Sequence, residues 1–128
     1  MSKKSILIIT DGTESINQIA RSIESLLTKF NVNTITAKNF TGTEILPAEI
    51  FFLGCEDPNP VCFSYLEKML LHINFAGRKC GIFSVNQNTL KYLRNILKHC
   101  DTALSEPFLA AKGNIDNSKI QKWLKDVI

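Results

Sequence analysis

Three nearly unbroken apolar runs constrain this chain more than any other feature: Ile6-Leu7-Ile8-Ile9, Ile50-Phe51-Phe52-Leu53 and Cys80-Gly81-Ile82-Phe83. A strand with one wet face alternates apolar and polar residues, whereas a strand covered on both faces reads as a continuous apolar run. The runs predict buried parallel strands over Ile6–Ile9, Glu49–Leu53 and Lys79–Val85, with further strands over Val32–Ala37 and Ala103–Ala111. Between them, apolar residues recur at three-to-four spacing. Ile16, Ile19, Ala20, Ile23, Leu26, Leu27 and Phe30 mark one helix, and Phe63, Leu66, Leu70 and Ile73 a second. Leu90, Leu93, Ile96 and Leu97 mark a third, and Ile120, Trp123, Leu124 and Val127 a fourth. Each stripe suits a helix laid on a sheet. Asn39–Ala48, broken by Gly42 and Pro47, reads as a turn or a short helical piece.

Strands alternating with helices at this spacing imply right-handed crossovers and an open α/β sheet covered on both sides. The 128 residues fit one domain, 1–128, with no linker, repeat or low-complexity tract. Ligands of such sheets sit at the carboxyl ends of the strands, where strand order reverses. Three loops are expected there: Thr10–Ser15, Gly54–Pro60 and Ser84–Thr89.

Composition narrows the chemistry. The net charge of +3 is mild and the cations are scattered, with Lys3-Lys4 and Arg78-Lys79 the only adjacent pairs. Nucleic-acid binding needs clustered cations, so none is expected. No apolar stretch approaches the roughly 20 residues of a membrane span, and Ile6–Ile9 is too short for a signal-peptide core, so a cytoplasmic protein is expected. Cys55, Cys62, Cys80 and Cys100 form no CxxC pair, and His72 and His99 lie outside zinc-finger spacing. No Ser-His-Asp set falls on strand ends. Cys55, just after a strand, is a candidate redox thiol, but no base or cation adjoins it in sequence.

The first loop carries the clearest binding signal. Thr10, Asp11, Gly12, Thr13, Glu14 and Ser15 join an apolar strand to a helix start. Backbone N–H groups in such a turn, with the positive end of the helix dipole, suit a phosphate.

Four stretches then resemble the flavodoxin-like family over nearly the whole chain. They are Ile6–Ser15; Phe52-Leu53-Gly54; Leu71–Val85, containing Phe75-Ala76-Gly77-Arg78-Lys79-Cys80-Gly81-Ile82-Phe83-Ser84; and Pro107–Val127 with Trp123. The resemblance implies a three-layer α/β/α sandwich around a five-stranded parallel sheet in order 2-1-3-4-5. It also implies non-covalent FMN and single-electron transfer to redox partner proteins. Thr10, Gly12, Thr13 and Ser15 would hold the phosphate, with Asp11 and Glu14 beside it. Gly54, Cys55 and Glu56 on one loop, and Ser84, Asn86, Gln87 and Asn88 on another, would flank the flavin.

The implied cofactor site is a weakened one. Against the family's T/S-x-T-G-x-T, Gly12 stands at the central Thr and Thr13 at the Gly. Neither flavin loop contains an aromatic residue, and Tyr92 falls two positions beyond the family's Tyr. The family is usually strongly acidic, unlike this chain. The alternative is a flavin-free binding module that keeps the fold. A response-regulator receiver shares the topology, but it needs an acidic pair after the first strand and a phosphoacceptor Asp after the third. This chain offers Asp11 alone, Gly54 at the acceptor position, Ser84, and Lys112 as the lysine.

Overall fold

The computed structural model describes residues 4–73, 75–98, 100, 102–104, 109–110 and 117–128. The apolar runs form β1 (Ser5–Thr10), β3 (Ile50–Gly54) and β4 (Arg78–Ser84), each within two residues of its expected bounds. The edge strand β2 (Asn31–Thr36) is more polar and more exposed, as one uncovered edge allows. The 3-10 turn Thr43–Ile45 lies in the Asn39–Ala48 stretch read as turn or short helix, and a second, Ala37–Asn39, begins where the second strand was expected to end. The helices are α1 (Glu14–Leu26), α2 (Phe63–Leu71), α3 (Gln87–Lys98) and α4 (Asn117–Val127).

All described strands pair in parallel, in the expected order β2-β1-β3-β4-β5. Of the expected fifth strand Ala103–Ala111, two described segments pair with β4: β5 (Thr102–Leu104) and β6 (Leu109–Ala110). Leu104 lies opposite Cys80 and Leu109 opposite Phe83, so the chain advances five positions where β4 advances three. Because the difference is even, Leu104 and Leu109 each meet the face of their partner on β4. Residues 105–108 and 111 lie outside the described residues. Lys112, His99 and the Pro107 end of the fourth resembling stretch lie outside the described residues.

Alternation along the strands divides the core in two. Leu7, Ile9, Phe51, Leu53, Cys80 and Ile82 point toward α2 and α3, whereas Ile6, Ile8, Phe52 and Phe83 point toward α1 and α4. Phe51 stacks on Phe75 at 5.0 Å on the first side, and Trp123 packs against Phe52 and Phe83 on the second. Each such fully buried side chain stabilises the fold by about 1.5–3 kcal/mol. The three layers are thus held from both faces, and the carboxyl ends of β1, β3 and β4 come side by side. Among the described residues, no helix is long and apolar enough to cross a membrane.

Candidate functional site

Register brings the three expected loops together: Thr10 pairs with Gly54, and Gly54 with Phe83, so the loops after β1, β3 and β4 leave the sheet at one level. Gly12 takes the left-handed conformation (φ +83°), which a glycine adopts without strain. Thr13 therefore stays extended (φ −70°, ψ 151°) as the N-cap of α1, although its side chain caps nothing.

Several donors of this turn are taken up within the chain. Thr10, fully buried at the end of β1, donates its hydroxyl to Asn17 Oδ1 (3.2 Å) and accepts from the Gly12 N–H (3.3 Å). Asn17 Nδ2 donates back to the Gly12 carbonyl at 3.3 Å. Asp11 holds the centre. Its Oδ1 accepts from the Thr13 N–H (3.0 Å) and hydroxyl (2.7 Å), and its Oδ2 accepts from the Glu56 N–H at 2.8 Å. The Ser15 hydroxyl donates to Glu56 Oε2 at 2.9 Å, setting a second carboxylate beside the first turn of α1, where the helix dipole favours negative charge. Glu14 turns aside to Arg21 at 2.8 Å.

The other two loops are stitched to each other through Glu56. Its carbonyl accepts from Thr89 Oγ1 (2.8 Å) and Asn86 Nδ2 (3.1 Å). Ser84, also buried, donates to the Cys55 carbonyl at 2.7 Å and accepts from the Asn86 N–H at 3.1 Å. Gln87 and Asn88 open α3 and remain exposed, outside this network. Asn17 and Thr89 were not expected as site residues. Asn17 is a polar residue on an amphipathic helix that turns back to Thr10 and Gly12, and Thr89 is a threonine in a helix start that finds its partner only where its loop meets that of Glu56.

Cys55 lies within this network with no exposed surface. Burial, and secondarily the Asp11 carboxylate, push its thiol far above the ordinary value near 9, which removes the thiolate a redox role requires. Burial raises Cys80, Cys62 and Cys100 as well, with Asp11 adding to Cys62. A thiol raised in the folded state keeps its contribution to stability below its unfolded value and loses it as pH climbs. Stability should therefore fall as pH passes 9, seen as a dropping urea midpoint. Iodoacetamide near pH 8 should leave Cys55 and Cys80 unmodified in native protein and label them after unfolding, as mass spectrometry would show. Labelling of native Cys55 at the unfolded rate would refute this account of the site.

An FMN phosphate does not fit these engaged groups. The amides of Gly12, Thr13 and Glu56 and the hydroxyls of Thr10, Thr13 and Ser15 are all engaged within the chain. Two aromatics near the flavin loops are engaged elsewhere. Phe63 is fully buried in the core, and Tyr92 sits over α2, its phenol donated to the Glu67 carboxylate. Among the described residues no group of His, Cys, Asp and Glu is arranged to hold a metal ion.

No family model and no curated protein matches this sequence. Solved structures do match. Oxidised Flavodoxin 2 from Bacillus cereus superposes with a TM-score of 0.80 over 96% of this chain and 97% of its own, at 18% identity. The fold is flavodoxin-like. A short-chain flavodoxin associated with a non-canonical PDU bacterial microcompartment gives the same TM-score at 12% identity, covering 99% and 97% of the two chains. A chemotaxis protein from Vibrio cholerae follows at a TM-score of 0.60 and 7% identity, over 99% and 100%. At these identities the flavodoxin-like fold is shared while the site chemistry is this chain's own.

Proposed function

We infer that this protein is a flavodoxin-like module that works by binding a partner and holds no flavin. The observation that carries the reading is the Asp11 carboxylate, which takes up the Thr13 and Glu56 amides that a phosphate would need. A dianion entering beside it would meet like charge. Each pair of unit charges about 4 Å apart near a protein surface repels by about 4 kcal/mol, and Glu56 adds a second carboxylate. Loss of both aromatic walls removes about 1–3 kcal/mol of stacking per ring, by analogy with bases stacked on aromatics.

The likeness to flavodoxins favours a second reading, an FMN-binding single-electron carrier with redox partner proteins. The fold supports that reading and the loop chemistry opposes it. The receiver reading has less support, because Gly54 ends β3 where a phosphoacceptor carboxylate is needed. A cytoplasmic location accompanies the module reading.

Colour separates the first two readings. Freshly purified protein is expected to show no flavin absorbance, and FMN titrated into it should keep its fluorescence at saturating concentrations. A yellow preparation, or FMN binding that weakens in Ser15→Ala, would overturn the module reading in favour of the carrier.

A further inference from the structure

One edge of the sheet is β2, which among the described residues pairs with β1 alone. The Asn31 N–H donates to the Lys4 carbonyl at 2.9 Å, so the backbone groups of Asn31, Asn33 and Ile35 face β1. Those of Val32, Thr34 and Thr36 face outward, because the direction alternates from residue to residue along a strand. Such a row of unpaired donors and acceptors takes up another extended strand. Edges are commonly guarded against this by lysine, proline or a bulge. Asn31-Val32-Asn33-Thr34-Ile35-Thr36 contains no charged residue, proline or glycine, and it pairs with β1 in unbroken register.

Charge selects a second copy of this chain, running antiparallel. Lys38 lies exposed just beyond the carboxyl end of β2, on the turn whose Ala37 packs into the α2–α3 half of the core. Glu44 lies toward the opposite end of β2, lining a hollow of about 300 Å3 with Asn31, Asn33 and Pro47. The Thr41 and Gly42 amides hold its carboxylate in place at 3.0 and 3.1 Å. Ile45 and Ala48 beside it pack into the same half of the core as Ala37, so Lys38 and Glu44 lie on one side of the sheet. A two-fold axis normal to the sheet reverses the strand and keeps its faces, bringing Lys38 of each copy toward Glu44 of the other. A parallel copy would put like ends together. The outward groups fix the register: with Thr34 on the axis, its N–H and C=O exchange hydrogen bonds with those of Thr34 in the copy, and each Thr36 N–H meets a Val32 carbonyl. On the α1 side the Thr34 hydroxyl donates to Glu24, so the two Glu24 carboxylates are the like charges that approach.

We propose that β2 pairs antiparallel with β2 of a second copy of this chain, joining two sheets into one through main-chain hydrogen bonds about Thr34 and reciprocal Lys38–Glu44 ion pairs. Six residues of strand make a small contact, in the weak class below about 1,200 Å2, so association is expected at roughly 0.1–1 mM protein. The contact uses none of the groups that join the three loops, and it goes beyond the partner-binding reading without resting on it.

Sedimentation of the full-length protein should show a monomer–dimer equilibrium over that concentration range. Across the same range, exchange of the Val32, Thr34 and Thr36 amides should slow several-fold, while Asn33 and Ile35, already bonded to β1, stay unchanged. Thr34→Pro removes an outward N–H and leaves the ladder to β1 intact, as an edge strand allows, so it should keep its circular dichroism and abolish the dimer. Lys38→Glu, at an exposed position outside the strand, should weaken the dimer at least tenfold with the same fold check. Glu24→Gln keeps an acceptor for Thr34 and should tighten it several-fold. A monomer at millimolar concentration would overturn the proposal, as would a dimer in which those three amides exchange unchanged or one that survives Thr34→Pro. So would acetyl-Thr-Val-Thr-Val-Thr-amide slowing the same amides in protein that stays monomeric, which would make the edge a site for foreign strands. FMN binding at the loops would sink the flavin-free reading and leave this interface untouched, so the two failures are distinguishable.

Discussion

Gly54→Ala should destabilise the protein by about 3 kcal/mol, the upper part of the range for overpacking a filled core. Gly54 ends β3 directly opposite Phe83 of β4. A methyl group placed there would lie 2.3 Å from Phe83 Cε2 and 2.4 Å from Cζ, well inside contact distance. The ring has nowhere to go: Phe83 is fully buried and packs edge-on against Trp123, which in turn rests on Phe52. Gly81→Ala makes a gentler intrusion, 2.9 Å from Phe52 and Trp123, and should cost less. Urea unfolding of both variants checks the order. Gly54→Ala combined with Phe83→Leu should recover part of the loss, because the two positions share one space. A Gly54→Ala midpoint matching the parent would show that the packing around Phe83 is looser than described.

The second large effect is expected from Asp11→Ala, at about 2–3 kcal/mol. Three hydrogen bonds to one carboxylate are lost, and bonds to charged groups are worth about 1.5–3 kcal/mol each when fully shielded. Asp11 is only partly buried, so water replaces some of that and the total stays near the value of one shielded bond. Asp11→Asn keeps one acceptor oxygen and should lose about half as much. The sharper measurement is amide exchange. Glu56 N–H should exchange faster in Asp11→Ala, since its acceptor is gone, while amides in the middle of β1 keep their protection. Unchanged exchange at Glu56 would mean that the carboxylate does not join the two loops.

Much of the fold was legible because its signals are local in sequence. Ile-Leu-Ile-Ile and Ile-Phe-Phe-Leu leave no polar face, so their burial on both sides follows from composition alone. The stripes from Ile16 to Phe30 and from Leu90 to Leu97 depend only on helical period. The fifth strand was less legible. Ala103–Ala111 carries enough apolar residues to resemble one strand, and the two-residue excess appears only when each residue is set against its partner on β4.

The site divides the same way. That three loops meet follows from strand order, which the family resemblance implied and the strand pairing bears out. That Thr10, Gly12, Thr13 and Ser15 lie in one turn is sequence proximity. Where their donors point is not. Asp11 is next to Gly12 in the chain, yet one of its partners is the Glu56 amide, 45 residues away. Gly54 resembles a flavin-loop glycine by position, but its lack of a side chain answers to Phe83 across the ladder.

The amino-acid order by itself determined the layered α/β architecture and the absence of aromatic residues in two of the loops, because periodicity and residue type are properties of short stretches. Only the tertiary structure decided that a carboxylate fills the turn after β1 and that an amide-lined groove opens between α2 and α3. Both depend on which distant groups come within about 3 Å, and hydrogen bonds of that length are settled by packing, not by pattern.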